Sequence, residues 1–142
     1  MDSRPIMDLS AALDRMDGDQ DLFLSLAGMF VERSAQDLAA VRTALAAQDV
    51  SMLAEIAHKL KGSALEFCAH PAVAAARQLE GSAGRATIQE LEPLCERLKV
   101  EMQRLTAALE MIIEKGLPHE PVGSVENSVD GRSLPRDTGT GA

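Results

Sequence analysis

Aromatic residues are almost missing from this chain of 142 residues, which contains three Phe and no Trp or Tyr. Aromatic and β-branched side chains favour strands, whereas the abundant Ala, Leu, Met, Glu and Gln favour helices. The composition therefore predicts an all-α protein.

Cysteines and basic residues are also scarce. The two cysteines, Cys68 and Cys95, form neither a C-x-x-C pair nor a metal-ligand spacing, and we interpret them as reduced core thiols. Lys and Arg number 14 against 22 Asp and Glu, which gives a net charge of −8. Because nucleic acids are held by clustered basic residues, this charge argues against a nucleic-acid partner. We expect a protein partner instead.

Long apolar runs are absent as well. No stretch reaches the length of a membrane span, and the acidic N-terminus lacks the basic and apolar regions of a signal peptide. We therefore expect a cytoplasmic protein that does not enter a membrane.

The apolar pattern predicts one helical domain followed by a tail. With 46% apolar residues the chain can bury one sizeable core. A short first helix and four long amphipathic helices with short connections predict an antiparallel up-down four-helix bundle over residues 1–115, with the first helix as a lid. From residue 116 onward Gly, Pro, Ser, Asp and Thr dominate, which predicts a disordered C-terminal tail over residues 116–142.

Capping residues predict where several helices begin. Asp19 is the predicted N-cap of a helix over about residues 19–47, and Asp49 of the next helix, which runs to about Phe67. The last helix begins with Thr87-x-x-Glu90, a capping box. Pro93 either kinks this last helix or marks its beginning, and both alternatives remain open.

The helix that Asp49 begins fixes which way His58 points. An α-helix turns by about 100° per residue, so apolar side chains of this helix lie roughly opposite His58. They are Leu53, Ile56, Leu60 and Phe67. We therefore expect His58 to face solvent, with Lys61 and Gly62 on the same side of the helix.

These three residue types suit phosphoryl chemistry. A neutral imidazole attacks phosphorus near pH 7 without losing a proton first, and Lys61, one turn later, can neutralise phosphoryl charge. Gly62 costs the helix about 1 kcal/mol relative to Ala, so a compensating gain is expected, such as close approach by another protein. The alternative is that His58 and Lys61 are ordinary solvated residues and that Gly62 has no special role.

The sequence Ala57-His58-Lys59-Leu60-Lys61-Gly62-Ser63-Ala64 resembles the signature of histidine phosphotransfer (HPt) domains, A-H-x-L-K-G-S, which surrounds their phosphorylated histidine. Phe67-x-Ala69 and Leu79-Glu80 resemble further elements of that family, and about residues 8–113 follow its pattern. One residue departs from it: Cys68 stands where many family members have Gly.

The resemblance implies a four-helix bundle in which His58 accepts a phosphoryl group from a receiver-domain aspartate and passes it to another receiver. Lys61 would be the charge partner and Gly62 the space for docking. The implied partners are receiver domains of response regulators or hybrid sensor kinases. The implied protein is a monomeric phosphocarrier without kinase activity or a cofactor of its own, because Mg²⁺ belongs to the receiver.

Two other functions are compatible with a helical bundle. Glu55-x-x-His58 fits the motif of di-metal carboxylate bundles, but His70 and His119 lack a Glu three residues earlier, so the second motif of such a site is missing. A non-catalytic helical adaptor or scaffold that binds a signalling partner remains the alternative to phosphotransfer.

Overall fold

A computed structural model describes residues 4–118, and this part of the chain contains helices and no strand. The helices are α1 (Leu9–Arg15), α2 (Gln20–Ala46), α3 (Val50–Glu66), α4 (His70–Ser82) and α5 (Ile88–Lys115). The all-α prediction is confirmed. The predicted division after residue 115 coincides with the end of α5, but residues 119–142 lie outside the described range, so the disordered tail stays a prediction.

The four long helices form an antiparallel bundle. Each packs against the next along the chain, and α2 also packs against α5, which closes the ring. Lys59 of α3 contacts Asp37 of α2 at 3.1 Å, and Ser34 of α2 shares a 3.0 Å hydrogen bond with Thr106 of α5. The predicted up-down four-helix bundle is confirmed. Within residues 4–118, none of the helices combines the length and the apolar character of a membrane span.

The predicted helix starts are also confirmed. The carboxylates of Asp19 and Asp49 each accept a hydrogen bond from the backbone N–H three residues later. Thr87 and Glu90 form the reciprocal pair of a capping box. Each contact satisfies a backbone N–H that the first turn of a helix leaves without a partner. These local contacts place the ends of the long helices and thereby the turns between them.

Pro93 lies inside α5 rather than at its beginning. The helix begins at Ile88 and continues past Pro93 to Lys115. Proline has no N–H, so the carbonyl of Gln89, four residues earlier, lacks its usual intrahelical donor. The capping box decides between the two alternatives, because it satisfies the start of the helix five residues before Pro93.

The core holds α3 in a fixed rotation. Phe67 at its end is 1% exposed and packs edge-on against Phe23 and Phe30, at ring-centroid distances of 5.5 and 5.7 Å. Such pairs stabilise a core beyond their buried area, and removing a buried Phe ring typically costs about 3–5 kcal/mol. Leu53, Ile56 and Leu60 are buried on the same side of the helix. The opposite side of α3 therefore faces solvent.

The predicted lid helix covers the end of the bundle where α3 meets α4. The backbone N–H of Asp8, the N-cap of α1, donates to the carbonyl of Cys68 at 3.1 Å. Ala12 of α1 and Met16, the residue that directly follows this helix, are buried in the core. The short N-terminal helix is thus part of the packed domain.

Cys68, the departure from the family pattern, has a backbone conformation that glycine adopts more easily. Its φ is +50°, and α3 ends in a Schellman motif, in which Ala69 donates to Ala64 at 3.1 Å and Cys68 donates to Leu65 at 3.0 Å. The helix terminus is therefore intact without Gly. The cost is a non-glycine residue in the left-handed region.

Candidate functional site

His58 lies on the solvent-facing side of α3, as the rotation of the helix predicts. Its side chain is 70% exposed. The ring is nevertheless anchored, because its Nδ1 atom lies 2.8 Å from Oε2 of Glu80 on α4. One nitrogen of the imidazole is thus engaged within the protein, and the rest of the ring is accessible to another molecule.

Glu80 joins His58 to Lys61. While Oε2 meets the imidazole, Oε1 accepts a hydrogen bond from Nζ of Lys61 at 2.7 Å. The Lys61 side chain is only 23% exposed, so it is less solvated than its place beside His58 suggested. Its ammonium group is held one turn from the imidazole and has a partner within the protein before any phosphoryl group arrives.

The contacts of Glu80 favour its charged form. The hydrogen bond from Lys61, followed by the hydrogen bond with His58, lowers the pKa of the Glu80 carboxyl below its usual value of 4.5. Partial desolvation acts in the opposite direction and is the smaller effect. Glu80 is therefore ionised at neutral pH, and an ionised carboxylate can only accept hydrogen bonds.

This contact selects one tautomer of His58. Because Glu80 can only accept, Nδ1 must be the nitrogen that carries the proton when the ring is neutral. The lone pair available for chemistry is then on Nε2. The geometry combines an exposed ring, a defined tautomer and a cation one turn away, which is an arrangement suited to nucleophilic attack by Nε2 on an anionic group.

Gly62 is exposed and has free space around it. A Cβ atom built at this position would meet no heavy atom within 4 Å, and the residue has ordinary helical φ. Neither packing within this protein nor backbone conformation therefore requires glycine here. A side chain at residue 62 would occupy the surface beside His58.

The structure thus brings His58, Lys61 and Gly62 together on one surface, and it adds Glu80. Sequence reasoning did not assign Glu80 a role, although Leu79-Glu80 was noted as a family element. Glu80 is 22 residues from His58 and on another helix, so no helical periodicity relates the two. A family pattern was the only signal in the sequence that could have indicated it.

A shallow groove between α2 and α3 lies next to this surface. Its volume is about 90 Å³, and its walls include Arg33, Ser63 and Glu66. The ion pair between Lys59 and Asp37 crosses between the same two helices at 3.1 Å. The groove is continuous along α3 with the turn that carries Gly62.

No metal centre is formed by the described residues. Within residues 4–118, no group of three or more His, Cys, Asp or Glu side chains could hold a metal ion. The Nδ1 atom of His58 is engaged by Glu80, and Glu55 of the Glu-x-x-His motif is exposed. The motif therefore does not face into the bundle as a di-metal carboxylate site requires.

Comparison with known proteins identifies one family and similar folds. Residues 25–112 match the sequence pattern of the Hpt domain. Histidine-containing phosphotransfer protein B (HptB) from Pseudomonas aeruginosa PAO1 is structurally similar, with 25% identity, a TM-score of 0.72, and coverage of 80% of this chain and 98% of that one. The HPT domain of a sensor hybrid histidine kinase from Shewanella has 20% identity and a TM-score of 0.68, with coverage of 78% and 95%. No curated protein sequence matches.

Proposed function

The chain belongs to the Hpt domain family, and from this premise we propose that it carries a phosphoryl group on His58 between receiver domains. Family membership gives the chain a phosphotransfer role in two-component signalling. The proposal adds the acceptor atom, the direction and the supporting residues. His58 accepts from a receiver aspartate and donates to the aspartate of a second receiver.

The transfer step follows from the tautomer of His58. The lone pair of Nε2 forms a bond to the phosphorus of an aspartyl phosphate. The bond between phosphorus and the aspartate oxygen breaks, and its electron pair remains on the aspartate carboxylate. The phosphorylated ring keeps its proton on Nδ1 and carries a positive charge. The same steps in reverse, with another receiver's aspartate as the nucleophile, deliver the phosphoryl group.

Glu80 and Lys61 support this step in different ways. Glu80 accepts the Nδ1 proton in a hydrogen bond of 2.8 Å, which orients the ring and favours the imidazolium that forms on phosphorylation. Lys61 supplies positive charge one turn away, where a phosphoryl group on Nε2 would add negative charge. We propose Glu80 as a positioning residue, Lys61 as the charge partner and Gly62 as the clearance for docking.

The single observation that carries the proposal is the exposed His58 ring anchored through Nδ1 by Glu80. Such a carrier contributes positioning and electrostatics, whereas the divalent cation that assists phosphoryl transfer belongs to the receiver's carboxylates. The phosphoryl group comes from a partner, since Hpt domains are phosphocarriers and not kinases.

The experiment compares two phosphoryl donors. The full chain is incubated with labelled ATP and Mg²⁺ alone, and in parallel with a kinase and its receiver domain added. We expect label on this chain only when the phosphorylated receiver is present. Label from ATP alone would contradict the carrier function, and binding of the receiver without any label would favour the adaptor alternative.

A further inference from the structure

Two arginines flank α3 just beyond the site. Arg33 on α2 lines the groove between α2 and α3 together with Ser63. Arg77 on α4 precedes Glu80 by one turn. Because α4 runs antiparallel to α3 and Glu80 meets Lys61, Arg77 lies beside the turn of α3 that follows Lys61. Both flanking arginines are exposed, one on each side of the helix that carries His58.

Neither flanking arginine has a partner in the part of the chain that the structure describes. No hydrogen bond or ion pair involves Arg33 or Arg77 between residues 4 and 118. The two lysines nearby differ in this respect, because Lys59 pairs with Asp37 and Lys61 pairs with Glu80. A guanidinium group offers five N–H donors in a planar arrangement that matches carboxylates. These donors are available to a partner.

The charge around His58 differs from that of the whole chain. The chain has a net charge of −8. The surface around His58 has as many cations as carboxylates, namely Arg33, Lys59, Lys61 and Arg77 against Asp37, Glu55, Glu66 and Glu80. The negative excess is therefore carried elsewhere. An acidic partner would be repelled by the rest of the protein and could approach this surface without net repulsion.

The carboxylates on this surface are not equivalent. Asp37 and Glu80 are neutralised by lysines, whereas Glu55 and Glu66 are exposed and form no ion pair in the described part of the chain. Glu66 lines the same groove as Arg33. Glu66 should therefore repel an acidic partner that Arg33 attracts. Replacing each of the two residues in turn then shows whether the partner's docking face is acidic.

We propose that Arg33 and Arg77 orient the acidic phosphorylation face of a receiver domain over His58. The inference rests on the proposed function, because a receiver that transfers from an aspartate needs carboxylates to hold its divalent cation. Charges at the edge of an interface act mainly on the association rate, and salt weakens their effect. The two arginines would therefore determine how fast receivers dock, while His58 performs the chemistry.

The test measures the rate of label transfer to the full chain at low and high salt. Purified receiver domains are phosphorylated with acetyl phosphate and Mg²⁺ and tested on the unmodified chain. The receiver domain that labels it fastest is the probe. Arg33→Ala and Arg77→Ala should each slow transfer about threefold at low salt, and the double variant about tenfold. Glu66→Gln should accelerate transfer. These differences should shrink at about 0.5 M salt, because the screening length is about 10 Å at 0.1 M and shortens as salt rises.

Two controls separate the docking effect from general charge. Arg42→Ala removes an exposed arginine of α2 whose helical position is far from the α3-facing side, and it should leave the rate unchanged. Arg77→Lys keeps the charge and should retain most of the rate.

If the arginine variants match the unmodified chain while label still reaches His58, the inference is wrong and the proposed function stands. Faster transfer in Arg77→Ala, or slower transfer in Glu66→Gln, would also overturn it. Label that never reaches His58 from any receiver would overturn both.

Discussion

The Nδ1 atom of His58 lies 2.8 Å from Oε2 of Glu80, and this contact connects α3 to α4 at the most exposed part of the site. Because Lys61 holds the other oxygen of Glu80 at 2.7 Å, the carboxylate is both oriented and ionised. The contact therefore sets the chemistry of the imidazole and also contributes to the stability of the bundle. The two roles lead to separate predictions.

Replacing Glu80 should change the tautomer of His58. In Glu80→Ala no carboxylate accepts the Nδ1 proton, so the neutral ring should shift toward the form protonated on Nε2, and transfer should slow about tenfold. Glu80→Gln keeps an acceptor oxygen, so it should retain more of the tautomer protonated on Nδ1 and more of the transfer rate. The ¹⁵N chemical shifts of the His58 ring report the tautomer directly. An unchanged tautomer in Glu80→Ala would show that Glu80 does not position the ring.

The stability that Glu80 contributes should depend on pH. Its folded pKa is lowered, so the contribution is complete above the usual value of 4.5 and is lost as the pH falls through the lower folded pKa. The free energy of unfolding of the unmodified chain should exceed that of Glu80→Gln by its full amount from about pH 5 upward, and the difference should shrink toward about pH 3. Denaturant unfolding of both proteins across this range measures the difference. A difference that grows as the pH falls would contradict the assignment.

Gly62 should be dispensable for folding and required for transfer. A Cβ at residue 62 would meet nothing within 4 Å, so Gly62→Gln should raise the free energy of unfolding by up to about 1 kcal/mol. The longer side chain would occupy the docking surface, and transfer from the receiver should fall. Gly28→Gln on α2 is the matched control, because a Cβ there also meets nothing within 4 Å. Normal transfer in Gly62→Gln, or an equal loss in Gly28→Gln, would argue against docking clearance.

Gln48 should tolerate glycine with a gain in stability. Its φ is +56°, and it ends α2 in a motif where glycine avoids the cost of a Cβ in the left-handed region. Gln48→Gly should therefore raise the free energy of unfolding by about 1 kcal/mol, whereas Gln48→Ala, which keeps a Cβ, should not. Cys68→Gly should gain less, because the Cys68 side chain packs against the core. Thermal unfolding of the three variants tests this order, and a destabilised Gln48→Gly would contradict it.

Much of the fold follows from signals between residues close in sequence. The caps at Asp19, Asp49 and Thr87 are formed by a side chain and a backbone group three residues away, so the sequence is enough to predict them. The outward direction of His58 follows from the apolar residues of its own helix for the same reason. The sequence does not decide whether Pro93 kinks the last helix or marks its beginning. The cost of a proline inside the helix has to be compared with the capping box and with the packing of the whole helix.

The contacts of the site depend on distances between helices and were less predictable. The sequence predicts that Lys61 can neutralise phosphoryl charge, but it does not predict that Lys61 is already paired, because the packing of α4 on α3 brings Glu80 beside it. The position of Arg77 near this cluster depends on the same packing. Residues that meet across two helices have no common period along the chain, so only a three-dimensional structure or a family pattern relates them.

The most direct test of the central claim is to locate the label after transfer from a phosphorylated receiver. The unmodified chain, His58→Gln and His70→Gln are each incubated with the receiver, and acid-labile label on each chain is measured after separation. The account predicts label on the unmodified chain and on His70→Gln, and none on His58→Gln. Circular dichroism should show equal helical content in all three, since the His58 ring makes no core contact. Label that persists in a folded His58→Gln variant would contradict the account.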